Sequence, residues 1–143
     1  MHKLYIMSIA VLVACNAFSQ SHSNNWVFGD STGLNFSTPI PTFFKTSILS
    51  HEACASISDS TGILLFYTNG QKVWDRNNEM MPNGDSLNIG KSSFDDPSSI
   101  TQGVTILPKP GSNTMYYIFQ LQAENGPPDN YGLEYSIVEM TLN

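Results

Sequence analysis

Residues 53–75 read ACASISDSTGILLFYTNGQKVWD, and this stretch decides the fold. Ala53 to Ser58 alternates small or apolar side chains with polar ones. Ile63 to Thr68 is aliphatic and aromatic. Lys72 to Asp75 holds Val73 and Trp74. Asp59-Ser60-Thr61-Gly62 separates the first two runs and Asn69-Gly70 the second two. Short β-formers punctuated by such turn residues predict a three-stranded antiparallel meander. Asp59 is expected to cap its turn with its side chain, while Gly62 takes the left-handed position. Asn69-Gly70 predicts a type I′ turn, whose twist suits paired strands.

The same grammar continues downstream. Val104 to Leu107, Met115 to Gln122 and Leu133 to Leu142 predict a second meander. Pro108 and Pro110 punctuate the Lys109–Asn113 connection, because proline cannot extend a paired strand. Upstream, Trp26-Val27-Phe28 and Leu34-Asn35-Phe36 predict a strand pair around Asp30-Ser31-Thr32-Gly33. That tetrapeptide is identical to the one at 59–62, so Asp30 is expected to cap its turn and Gly33 to take the left-handed position in the same way. Residues 77–102 and 124–130 read as long surface connections, with a short strand expected near Leu87-Asn88-Ile89. No segment after residue 20 sustains helical periodicity for three turns. Ile57 recurs at Ile106 and Phe66 at Phe119, and a period of about 50 residues suggests β-propeller blades. The expected fold is therefore all-β: antiparallel meander sheets forming a partial propeller of about two blades, or else a compact β-sandwich.

The N-terminus has a different character. Lys3 precedes the apolar run Leu4–Ala14, and Ala17 and Ser19 put small side chains before Gln20. A run of about 11 residues is too short to span ~30 Å of hydrocarbon but fits an export signal. Residues 1–19 are expected to be removed, leaving 20–143 as the working domain outside the cytoplasm. Leu12-Val13-Ala14-Cys15 also fits a lipobox, in which Cys15 would carry a lipid anchor. After the signal no transmembrane span is expected.

Charge and side-chain chemistry narrow the function. Twelve acidic against six basic residues give a net charge of −6, and loss of Lys3 makes it more negative. A nucleic-acid partner is excluded, since phosphate binding needs a basic face. Cys54 stands alone once Cys15 departs and reads as a small hydrophobe within a strand. His51-Glu52 lacks the second histidine of a zinc-protease helix. No Gly-x-Ser-x-Gly elbow occurs, and the carboxylates at Asp85, Asp95 and Asp96 lack calcium-loop spacing. No cofactor, metal or catalysis is expected. Trp26 and Trp74 are expected to pack in the core. If they do not, they and the Tyr116-Tyr117 pair are the candidate ligand platform for a sugar.

Several longer strings carry a resemblance. NNWVFGDSTGLNF, CASISDSTGILLFYTNGQKVWDRNNEMMPNG, ITQGVTILPKPGSNTMYYIFQL and GLEYSIVEMTLN resemble the N-terminal propeller region of large Bacteroidetes surface proteins. Those proteins often carry PKD modules and a gliding-motility-associated, type IX secretion sorting domain. The resemblance implies a secreted or surface-attached repeat module for adhesion or protein contact, with surface proteins or glycans as partners. It also implies O-glycosylation at Asp-Ser-Thr or Asp-Ser-Leu, making Ser31, Ser60 and Ser86 candidate acceptors. A propeller needs at least four blades of ~40 residues. Residues 20–143 would supply about two and a half. The chain therefore reads as a truncated part of a larger polypeptide, as a closed sandwich, or as a protomer that assembles with copies of itself. A carbohydrate-binding module and a piece of a glycan-active enzyme are the alternative functions.

Overall fold

The computed structural model describes residues 21–85, 87, 100–121 and 132–142. Among the described residues nine strands fall into three antiparallel meanders. Sheet 1 comprises β1 (Asn25–Phe28), β2 (Thr32–Asn35) and β3 (Thr42–Lys45). Sheet 2 comprises β4 (Ala55–Ser58), β5 (Leu64–Thr68) and β6 (Val73–Asp75). Sheet 3 comprises β7 (Val104–Pro108), β8 (Met115–Leu121) and β9 (Leu133–Glu139). No α-helix and no closed barrel occur among the described residues. The all-β meander reading is met with three sheets rather than about two blades, because β3 completes the first hairpin. Its Phe43-Phe44 pair sits just after Pro39 and Pro41, and proline punctuation on so short a run hides a strand. The expected signal peptide, Cys15 and two residues of the expected short strand, Asn88 and Ile89, lie outside the described residues. Leu87 is in a turn packed against the core.

Sheet 2 is the middle layer, and both its faces are buried. Phe66, Val73 and Ile57 pack with Val104, Ile106, Tyr116 and Ile118 of sheet 3. Tyr67 and Trp74 pack with Val27 of sheet 1 and with Ile48. A β-bulge makes the two-sided arrangement work. Ile57 pairs with Phe66 and Ser58 with Leu64, so Leu65 is the extra residue, and the bulge shifts the parity of everything after it. Phe66 meets Tyr116 edge-on with centroids 5.5 Å apart, whereas Tyr67 stacks on Trp74 at 5.5 Å. Each such pair contributes about 1 kcal/mol beyond its buried area.

The two inter-sheet seams differ in chemistry. Between sheets 1 and 2, buried Asn25 donates from Nδ2 to Ser58 Oγ (3.0 Å) and to Gly62 O (2.8 Å). Its Oδ1 accepts from Asn35 Nδ2 at 2.7 Å, and its carbonyl accepts from Ser56 Oγ at 2.7 Å. These contacts set the start of β1 beside the end of β4, so the two strands run in opposite senses. Between sheets 2 and 3 the seam is apolar. Thr101 Oγ1 donates to Glu52 Oε2 at 2.7 Å where the chain enters β7 and β4, so those two strands run in the same sense.

Three local expectations are corrected. Asn69-Gly70 is not a type I′ turn. Only Gly70 has positive φ (87°), and Thr68 pairs with Val73 across a four-residue connection. Asn69 Oδ1 accepts from the Gln71 and Lys72 amides at 3.0 and 2.9 Å, and its Nδ2 donates to Leu49 O at 3.1 Å. A buried asparagine that ties the loop to another segment outweighs the local turn preference. Secondly, the equivalent of Phe66 in sheet 3 is Ile118, not Phe119. Ile106 pairs with Ile118 as Ile57 pairs with Phe66, and Phe119 faces the opposite way. Thirdly, Gly33 does not take the left-handed position. It lies within β2, where a Cβ would collide with the Phe44 ring.

Candidate functional site

The chemistry-bearing surfaces are the outward faces of the two outer sheets. On sheet 1, Trp26 aligns with Leu34 and Phe43 across the three strands, and Phe28 with Thr32 and Lys45. Inward-facing Asn25 and Val27 are buried, so strand alternation sends Trp26 and Phe28 outward. The core expectation for Trp26 is overturned. It is 51% exposed, its ring lies 5.1 Å from Phe36 and 6.4 Å from Phe28, and its Nε1 donates to Ser23 O at 2.9 Å. Phe43 is 81% exposed. The core expectation for Trp74 holds. It is buried, and the stacked Tyr67 covers one ring face, so Trp26 and Trp74 belong to different surroundings and form no joint platform.

Sheet 3 presents the broader apolar face. Leu107, Tyr117 and Ile137 form one cross-strand row, Thr105, Phe119 and Tyr135 the next, and Leu121 with Leu133 the last. The Tyr117, Phe119 and Tyr135 rings cluster with centroid separations of 5.6–6.1 Å. Leu107, Leu121, Leu133, Tyr135 and Ile137 are exposed, with Tyr135 at 63%. This face carried a sequence signal of its own. Met115-Tyr116-Tyr117-Ile118-Phe119 is apolar or aromatic at both parities, the pattern of a strand covered on two sides. Among the described residues one side alone is covered, by sheet 2.

A cleft of about 680 Å³ opens between the turns of sheets 1 and 2. Asp30, His51, Asn69, Lys72, Trp74 and Met80 are among its walls. Its charges are mixed, and its tryptophan offers no free ring. Burial pushes the Cys54 thiol up from its ordinary value, which disfavours the thiolate a nucleophile needs. No grouping of three metal-binding side chains occurs among the described residues. No described helix is long and apolar enough to cross a membrane.

The candidate acceptor hydroxyls are unequal. Ser60 is exposed at a turn. Ser31 is half-buried, and its Oγ points to Ile48 O at 3.4 Å. Ser86 lies outside the described residues. Comparison with family models, with curated proteins and with solved structures returned no match to this chain.

Proposed function

We propose that this chain is an exported, extracytoplasmic interaction module that binds other surface proteins through apolar sheet faces and performs no catalysis. One observation carries the reading: the face of sheet 3 turned away from the core is apolar over three adjacent strands. At roughly 500–600 Å² the patch is at the upper end of what a monomeric soluble protein exposes, and patches of that size are often functional. Covering each aliphatic or aromatic side chain returns about 1.5–3 kcal/mol when its burial becomes complete. The series of stacked meanders supports the resemblance to propeller regions of Bacteroidetes surface proteins, in which the remainder of a larger polypeptide would be one partner. The leader-like N-terminus supports export, with a lipid anchor through Cys15 as the variant form.

Carbohydrate binding is the second reading, favoured by the exposed Trp26 ring beside Phe36. A direct test separates the two. The labelled protein is applied to immobilised Bacteroidetes envelope proteins and to a glycan array. The interaction-module reading expects protein binding that falls on Tyr135→Lys, with a silent glycan array. Glycan binding that disappears in Trp26→Ala would transfer the function to the second reading.

A further inference from the structure

We propose that the outward face of sheet 3 is a self-association surface, on which a second copy of this chain seats its own sheet 3 to form a face-to-face dimer. The proposal rests on the interaction-module reading and names its partner. Sheet 2 shows what a sheet of this chain requires, since each of its faces is covered by another sheet. Sheet 3 has the same two-sided apolar pattern in β8 but among the described residues is covered on one side only.

Three features of the outer face fit a second copy. Its central rows, Leu107-Tyr117-Ile137 and Thr105-Phe119-Tyr135, contain no charged side chain, so two identical faces meet without like-charge repulsion. Glu139 and Lys109, the charged residues of the same parity, sit at one corner on either side of Met115, whose Sδ lies 3.3 Å from Lys109 Nζ, where a rim can keep both in water. The face is wide enough. Seven side chains at these exposures leave roughly 500–600 Å² of apolar surface per copy, so a dimer would bury at most about 1,100 Å² in total, above the ~1,000 Å² a biological contact should clear and at the small end, where association is weak. A two-fold contact of this kind is closed and self-limiting, the commonest symmetry of soluble oligomers. Sheet 1 offers a poorer seat. Lys45 interrupts its outward face, and Phe43 projects from it.

The test is sedimentation equilibrium of the full chain, expressed with its own N-terminal segment and purified as the cell processes it. A monomer–dimer equilibrium in the micromolar range is expected. Tyr135→Lys and Leu133→Lys, both at well-exposed positions, should each weaken it about tenfold or more while leaving the thermal unfolding midpoint of the monomer unchanged. Phe43→Lys on sheet 1 should change it less than about twofold. A chain that stays monomeric at about 100 µM, or a dimer lost on Phe43→Lys but kept in Tyr135→Lys, overturns the proposal. A monomer that still binds envelope proteins through Tyr135 would leave the interaction-module reading standing while this inference falls.

Discussion

Asp30-Ser31-Thr32-Gly33 and Asp59-Ser60-Thr61-Gly62 are the same four residues folded into two different turns. At the second site Asp59 Oδ1 accepts from the Thr61 amide (2.8 Å), Thr61 Oγ1 (2.7 Å) and the Ile63 amide (3.0 Å). The Asp59 amide donates to Ile63 O, the Gly62 amide donates to Asp59 O, and Gly62 has φ +91°. At the first site Asp30 and Ser31 themselves hold positive φ, 58° and 61°. The Ser31 amide donates to Ile48 O and the Thr46 amide to Ser31 O, both at 3.0 Å. Burial of Ile48 holds that clasp closed, which offsets a cost of about 1 kcal/mol for each strained residue.

The true counterpart of the second turn has a different sequence. Asp75-Arg76-Asn77-Asn78-Glu79 repeats its bonding. Asp75 Oδ1 accepts from the Asn77 and Glu79 amides, the Asp75 amide donates to Glu79 O, and Asn78 takes the left-handed place at φ 68°. Side-chain capping by the leading aspartate defines this turn, and the identity of the residues that follow is secondary.

The largest expected effect comes from the residue before each aspartate, Gly29 in one copy and Ser58 in the other. A Cβ at Gly29 would strike the Ser50 backbone carbonyl, which cannot move without its segment. Gly29→Ser makes the two pentapeptides identical, and it should lower the unfolding free energy in urea by about 3 kcal/mol. A loss under about 1 kcal/mol would mean the 46–50 clasp does not select the first turn.

Next come the aspartates. Asp59→Ala should cost about 2 kcal/mol, the loss of several bonds to one carboxylate, whereas Asp30→Gly should stay within about 0.5 kcal/mol, because glycine accepts positive φ. The same difference appears in acid. Partial burial pushes the Asp59 carboxyl up, but the bonds from Thr61, Ile63 and Gly62 outweigh it and hold the group below its ordinary 3.8. A depressed folded value means that the stabilisation is complete above the unfolded value near about 4 and is lost as pH falls through the folded one. Urea midpoints measured from pH 6 to pH 2 should therefore fall less steeply in Asp59→Ala than in the parent.

Smaller still is the glycine contrast. Gly62→Ala should cost about 1 kcal/mol or more, through its left-handed φ and through the Asn24 side-chain amide, which the new Cβ would push aside, and Gly62→Asn should recover the φ share alone, as Asn78 does in its own turn. At Gly33 asparagine should give no recovery over alanine, because the obstacle there is the Phe44 ring rather than φ. Thermal melts of the four variants decide this. The last contrast has no stability consequence: if glycans are attached in a Bacteroidetes host, peptide mass mapping should find them on exposed Ser60 and not on half-buried Ser31.

Much of the fold was legible because strand and turn signals are local. The runs around Ile57, Phe66, Val73, Ile106 and Ile118 alternate with Gly, Asn, Asp and Pro, and that alone requires antiparallel meanders. Acidity is equally plain in composition. The both-parity apolar character of β8 already announced two faces in need of cover. Other features depend on residues distant in the chain. Ser50 and Ile48 decide which turn Asp-Ser-Thr-Gly adopts, and the bulge at Leu65 decides which aromatic faces which neighbour. The start of β1 beside the end of β4 decides that Trp26 looks outward while Trp74 is sealed under Tyr67. Strand propensity fixes what each segment is. Only the packing of one sheet on another, which buries one face and leaves its opposite in water, decides which side chains remain free to bind.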